Sequence, residues 1–192
     1  MKKNAKAEKV LDVALGLLKN EGDYGVTMRK VASLADMSLS NVQYYFKNKD
    51  MLLKAMADRY FQSCLEEIRT TEAIQSQEAL QGDLEALLKS FLRHGLEVTE
   101  MCRLFREYWA ISTRNEAIDD YIKQYYREMV VILSEKLRPV ANSESGLSKS
   151  VSMIIPFVEG YSITALSMPE DINSVTDILI SLVTNLLEGL DE

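Results

Sequence analysis

Four side chains between residues 39 and 44 have chemistry that suits the edges of DNA bases. Residues 39–46 have the spacing of a short helix on which Val42 and Phe46 share an apolar side. The opposite side carries Leu39, Ser40, Asn41 and Tyr44. An asparagine amide can form two hydrogen bonds with adenine, and hydroxyl groups can donate to or accept from base edges. This pattern predicts a helix that packs on one side and leaves the other free to enter a major groove.

A second short helix is expected just before this one, to hold it in place. Thr27 and Ser38 are of the residue types that cap helix N-termini, and they precede residues 28–35 and 39–46. Asp36 stands in the turn and tolerates the left-handed backbone conformation that tight turns require. Small or branched apolar residues allow a close crossing of the two helices: Val31, Ala32 and Ala35. Two short helices joined by a tight turn, with a longer helix on each side, form a helix-turn-helix pattern.

The rest of the chain also has the apolar period of three to four residues that is typical of helices, and alternating segments are rare. We therefore expect an all-α fold. A three-helix domain with the helix-turn-helix should occupy residues 1–50, and a larger helical domain should occupy residues 51–192. Outside the two short helices, the expected helical ranges are 5–20, 49–70, 78–97, 100–113, 115–137, 147–168 and 173–190.

The charge is distributed unevenly along the chain. The formal net charge is −7, but residues 1–63 contain 11 Lys and Arg against 7 Asp and Glu, and the remainder contains 11 against 22. A basic head on an acidic body suits a protein that meets phosphate groups with one end only. The alternative is an ordinary solvated surface, which can have any local sign.

The residues available for catalysis are few. The single histidine, His94, has Phe91 three positions before it, so it cannot form the Glu-x-x-His pair of di-metal helical bundles. One histidine also removes most zinc sites and catalytic triads, and no glycine-rich phosphate loop is present. We therefore expect no enzyme activity, no metal and no cofactor.

The compartment can be inferred from what the chain lacks. No apolar run is long enough to cross a bilayer, and the basic N-terminus lacks the apolar centre of a signal peptide. We therefore expect a cytoplasmic protein. Cys64 and Cys102 are then expected to be free thiols, because isolated cysteines in a reducing compartment rarely form a bridge.

Residues 27–53 resemble the N-terminal domain of TetR-family transcriptional regulators. The resemblance lies in the strings TMRKVA at 27–32 and NVQYYFKNKDMLL at 41–53. Asp36 departs from the glycine that is usual in the family's turn, and Gln43 departs from a frequent tyrosine. The resemblance implies a sequence-specific DNA-binding regulator, a homodimer that acts as a repressor and leaves its operator when a small-molecule inducer binds.

Chemistry and the resemblance together imply roles for the residues of this segment. Lys49 begins a helix, so its ammonium group and the helix N-terminus can both face a phosphate. Ser40, Asn41 and Tyr44 are candidates for base edges, and Leu39 for a thymine methyl group. The full DNA-contacting set is Arg29, Lys30, Leu39, Ser40, Asn41, Gln43, Tyr44, Tyr45 and Lys49. The alternative is that the polar ones are ordinary exposed residues and that Tyr44, Tyr45 and Phe46 belong to the core. The core is favoured for Phe46 and the Tyr45 ring, and DNA contact is favoured for Tyr44.

By the same resemblance, residues 51–192 bind the inducer and form the dimer. Residues 150–166 are apolar almost all round, so this helix and the last one are expected to form an intermolecular four-helix bundle. An intramolecular core is the alternative. The candidate ligand-binding residues are Met101, Phe105, Tyr108, Trp109, Tyr121, Tyr125, Phe157 and Tyr161, although aromatic residues at this spacing also suit a plain core.

The sequence permits two further interpretations. Residues 105–110 and 114–116 are similar to the corresponding region of the BetI-like branch of the family. A helical ligand-carrier or interaction protein without DNA binding is the rival function, but it leaves the helix-turn-helix unexplained.

Overall fold

The protein is described here by a computed structural model that covers residues 2–71, 74, 76–96 and 100–190. In these ranges it contains α-helices and two short 3-10 turns, and no β-strand. The all-α prediction is therefore confirmed. The helices are α1 Lys2–Gly25, α2 Met28–Leu34, α3 Leu39–Tyr45, α4 Lys49–Thr70, α5 Gln77–Leu96, α6 Glu100–Ser112, α7 Glu116–Leu137, α8 Glu144–Thr164 and α9 Ile172–Glu188.

The first helix ends where its glycine predicts. Gly22 has φ 68° and ψ −171°, which interrupts the regular helix before a last turn that reaches Gly25. A residue without Cβ adopts this positive φ at little cost. Upstream of the break, Val10, Ala14 and Leu18 are fully buried, so one face of α1 contributes to the core. The four residues after Gly22 lead the chain into the helix-turn-helix.

The helix contacts divide the described chain into two compact units. The first contains residues 1–66 and 103–126, and the second contains residues 67–102 and 127–192. In the first unit, α1, α2 and α3 pack on one another. In the second, α5, α8 and α9 form the core. Both cysteines, Cys64 and Cys102, are buried, and they do not form a disulfide.

The helix α8 begins earlier than its sequence suggests. Residues 141–146 are rich in serine and asparagine and are typical of a loop, but Ser143 caps a helix that starts at Glu144. Its hydroxyl oxygen accepts a hydrogen bond from the backbone N–H of Gly146 at 3.0 Å. Gly146 is itself buried against α9, and a Cβ there would overlap the carbonyl oxygen of Leu186. Close approach of α8 and α9 therefore requires glycine at this position.

The described helices range from 7 to 24 residues in length. None of those in the ranges given above is both long and apolar enough to cross a bilayer.

Candidate nucleic-acid interface

The turn between α2 and α3 has the backbone geometry that its residues predict. Thr27 Oγ1 accepts the N–H of Lys30 at 3.2 Å, and Ser38 Oγ accepts the N–H of Asn41 at 3.2 Å. Asp36 has φ 56°, in the left-handed region. The N–H of Met37 donates to the carbonyl oxygen of Ala32 at 2.9 Å, which closes the turn. Both caps and the special turn position are confirmed.

One side of this motif is buried and the other is open. Val31 and Val42 are fully buried and Phe46 is nearly so, which means that α2 and α3 pack through the apolar positions expected. The side chains of Ser40, Asn41, Gln43 and Tyr44 are exposed. Tyr44 has 67% of its surface exposed, which is far more than a core aromatic residue retains. The outer side of α3 is therefore accessible.

The remaining residues of α3 lie at the edge of this face. Leu39 and Tyr45 are half-buried. The Tyr45 ring meets the Tyr44 ring edge to face, with centroids 5.2 Å apart. Tyr45 is therefore neither fully in the core nor fully on the outer face.

Lys49 is held at the start of α4 by a residue in the last turn of α1. Its Nζ donates to the carbonyl oxygen of Asp23 at 2.7 Å and lies 2.8 Å from Oδ1 of the same residue. The preceding residue, Asn48, caps α4 by accepting the N–H of Met51 at 2.9 Å. The Lys49 side chain keeps 35% exposure. The ammonium group thus lies at a helix N-terminus and remains reachable by an anion.

Asp23 also pairs with Arg114, which follows α6. Arg114 Nη2 lies 3.2 Å from Asp23 Oδ2, and Lys49 holds the other carboxylate oxygen. Burial alone would raise the pKa of Asp23, but its hydrogen bonds and attractions to Lys49 and Arg114 outweigh this effect and leave the pKa below its ordinary value. We call these three residues the Asp23 network. The sequence does not indicate this network, because 91 positions separate Asp23 from Arg114.

The other two basic candidates lie on α2. Arg29 is exposed. Lys30 is half-buried, and its ammonium group pairs with the carboxylate of Glu21 on α1. Lys30 is therefore oriented by an intramolecular partner, as Lys49 is.

The predicted ligand-binding residues are divided between the two units. Several of their rings surround Phe61 of α4 in the first unit, with centroids between 4.7 and 5.8 Å from its own; these belong to Phe105, Tyr108, Tyr121 and Tyr125, and Tyr60 adjoins them. We call this set the Phe61 cluster. Phe61 and Tyr60 were missed, because their own helical spacing is equally typical of core residues.

Tyr108 has a structural contact inside this cluster. It is fully buried, and its hydroxyl donates to the carbonyl oxygen of Leu53 at 2.9 Å. Burial raises the pKa of this hydroxyl far above its ordinary value, and nearby negative groups raise it further. Tyr108 therefore stays neutral and joins α6 to α4.

The other ligand candidates lie elsewhere. Trp109 is 46% exposed, and its Nε1 donates to the hydroxyl of Tyr126 at 3.2 Å. Phe157 and Tyr161 belong to the second unit, where their rings stack with centroids 6.0 Å apart. The side chain of Met101 lies outside the described residues, as does that of His94. Over the part of the chain that is described, no group of three or more His, Cys, Asp and Glu side chains could hold a metal ion.

Comparison with known proteins gives concordant results. Residues 10–56 match the family model described as bacterial regulatory proteins, tetR family. Over 187 residues the chain is 54% identical to an uncharacterised HTH-type transcriptional regulator in the dhlA 5′ region of Xanthobacter autotrophicus, and the match covers 97% of this chain and 93% of that protein.

Solved structures with the same fold are more distant in sequence. A transcriptional regulator from Rhodococcus sp. Rha1 superposes with a TM-score of 0.72 at 15% identity, covering 95% of this chain and 96% of the other. The multidrug binding protein EbrR, complexed with malachite green, superposes with a TM-score of 0.66 at 18% identity, covering 92% and 96%. At these identities the likeness supports the fold alone.

Proposed function

This chain belongs to the TetR family of DNA-binding transcriptional regulators, and we propose that it is a repressor that a small-molecule inducer releases from its operator. The observation that carries the DNA-binding part is the exposed polar side of α3 above a buried apolar side. A fully packed α3 would have no surface to present to a major groove. The proposal assigns DNA binding to residues 1–50, assigns ligand binding and dimerisation to residues 51–192, and includes no catalytic step.

The proposed DNA contacts follow the exposure and chemistry of each side chain. Ser40, Asn41 and Tyr44 read base edges, and Leu39 meets a thymine methyl group. The residues proposed to contact the sugar-phosphate backbone are Arg29, Lys30, Gln43, Tyr45 and Lys49. Backbone contacts set position and base contacts set specificity.

A homodimer is proposed through α8 and α9. Large apolar side chains remain exposed on both helices, among them Met153 and Ile163 on α8 and Ile178 and Leu182 on α9. Exposed apolar residues concentrated on two neighbouring helices are typical of a surface that another subunit covers. Such a dimer would place its two α3 helices in successive major grooves about 34–36 Å apart.

The Phe61 cluster is the proposed place of ligand contact in the first unit. Aromatic rings with hydroxyl tips suit a small apolar molecule that carries a few polar groups. EbrR, a protein that shares the fold, forms a complex with malachite green.

Inducer binding is proposed to favour a dimer in which the spacing of the α3 helices no longer fits the operator. A ligand that binds without changing operator affinity would count against this part. Ligand contact by four other residues stays a prediction; they are Trp109, Phe157, Tyr161 and Met101. Membership of the BetI-like branch stays a prediction as well.

The first step of the experiment identifies the fragments of the source genome that the purified protein binds and retains. Retained fragments should share a two-fold symmetric sequence, and retention of no fragment would favour the carrier function instead. Asn41→Ala should weaken binding to a retained fragment and leave binding to random duplex DNA nearly unchanged. Lys49→Ala should weaken both, and loss of one phosphate contact per subunit should reduce the slope of log K against log salt by about 2. Equal effects of the two variants on both duplexes would contradict the assignment.

A further inference from the structure

The Lys49 ammonium group already interacts with Asp23 in the absence of DNA. An ammonium group has three donors. One of them is donated to the carbonyl oxygen of Asp23 at 2.7 Å, and the same nitrogen forms an ion pair with Asp23 Oδ1 at 2.8 Å. The Asp23 side chain is only 14% exposed, so water screens this pair less than a pair on the open surface. A phosphate that approaches Lys49 therefore meets a lysine with an anionic partner in place.

Arg114 holds the same carboxylate from another direction. Its Nη2 lies 3.2 Å from Asp23 Oδ2, and its Nη1 donates to the carbonyl oxygen of Ala110 at 2.8 Å. The guanidinium also lies over the Tyr24 ring, 5.8 Å from its centroid. These contacts fix Arg114 at the end of α6. Its positive charge neutralises part of the Asp23 negative charge that would otherwise attract Lys49 alone.

The backbone of Asp23 is tied to α6 as well. Its N–H donates to Glu107 Oε2 at 3.3 Å. The preceding Gly22 has a positive φ, and a Cβ there would lie 3.2 Å from the same carboxylate oxygen. The position of the Asp23 carboxylate thus depends on residues 107 and 114. The position of Lys49 depends instead on α4, to which it belongs.

We propose that Asp23 competes with DNA phosphate for the Lys49 ammonium group, and that Arg114 sets the strength of this competition. The inference rests on the proposed role of Lys49 in phosphate binding. The Asp23 carboxylate and a DNA phosphate both attract the Lys49 ammonium group, so each anion weakens the binding of the other to it. While Arg114 is bound to Asp23, Lys49 is more available to phosphate. When Arg114 is withdrawn, Asp23 pairs more fully with Lys49 and the affinity for DNA falls. Asp23 is therefore a positioning residue that joins α6 to a DNA contact by charge.

The test measures fluorescence anisotropy of a labelled duplex that carries a genome fragment retained by the wild-type protein. Asp23→Asn should tighten binding about three- to tenfold more than Asp12→Asn does. The Asp12 variant is a matched control, because Asp12 lies on α1 and pairs with Arg59 at 2.7 Å. Arg114→Gln should weaken binding by a similar factor relative to Arg59→Gln. In a Lys49→Ala background, Asp23→Asn should bring no gain over Asp12→Asn.

The result that overturns the inference is an Asp23→Asn protein that binds no more tightly than the Asp12→Asn control, or a gain that persists without Lys49. A purely structural role for Asp23 would lower affinity, so a gain separates the two. If Asp23→Asn does not fold, Arg114→Lys should keep near wild-type affinity while Arg114→Gln loses it, and equal affinities would refute the competition. A wild-type protein that binds no DNA would refute the proposed function itself, which is a different outcome.

Discussion

Replacing Phe61 by alanine tests whether the aromatic cluster holds the first unit together. The Phe61 ring is fully buried, and neighbouring ring centroids lie 4.7–5.8 Å away. Removing a buried phenylalanine ring costs about 3–5 kcal/mol through lost transfer free energy and the cavity left behind. Since folded domains are stable by only about 5–15 kcal/mol, this is a large part of the free energy of unfolding.

Urea unfolding measures this loss. With a slope of about 2 kcal/mol per molar urea, the unfolding midpoint of Phe61→Ala should fall by about 2 M. Trp109 is the single tryptophan of the chain and lies in the first unit, so its fluorescence reports unfolding there. Circular dichroism at the helix band follows the whole chain in the same samples.

The matched control removes an aromatic ring from the surface. Tyr24 is 87% exposed, and Tyr24→Ala should cost less than about 1 kcal/mol although it ends a contact with the Arg114 guanidinium. A fall below about 0.5 M for Phe61→Ala, or equal falls for both variants, would refute the reasoning that the cluster is a packed core.

Three other predictions concern packing, assembly and pH. Gly146→Ala should lower the free energy of unfolding by about 1–3 kcal/mol because a Cβ there meets a backbone carbonyl of α9, whereas Gly16→Ala, with nothing within 4 Å, should be neutral or slightly stabilising in the same urea titration. Ile178→Glu should give a folded monomer in light scattering, because a carboxylate in the proposed interface has no partner, whereas Val131→Glu on α7 should stay dimeric; a dimeric Ile178→Glu would exclude this interface. Since the pKa of Asp23 is lowered from 3.8, its ionised form stabilises the fold above that pH, and the difference in melting temperature from Asp23→Asn should close as the pH falls below it.

Local features were predictable from the sequence because their causes are local. Thr27, Ser38 and Asn48 cap the helices that follow them, within three residues of their partners. Asp36 adopts the left-handed conformation that its position in the turn demands. The buried positions of α2 and α3 follow from helical periodicity, so the candidate interface could be outlined before any coordinates.

Features that depend on distant parts of the chain were not predictable. No spacing rule links Asp23 to Lys49, 26 positions away, or to Arg114. Aromatic residues at helical spacing carry no sign of which partner they will meet, so the sequence does not indicate that Phe105 packs against Phe61. The early start of α8 was missed for a different reason: serine and asparagine favour both loops and helix caps, and Ser143 is a cap.

Selection from a library of random duplexes tests the central claim most directly, because it asks which bases the exposed side of α3 reads. The wild-type protein should enrich a two-fold symmetric sequence whose half-sites are centred about one helical turn apart. Asn41→Ala should enrich the same sequence with the base preference lost at one position in each half-site. If the two proteins enrich identical sequences, or if neither enriches any, then α3 does not read DNA in the way its exposed residues indicate.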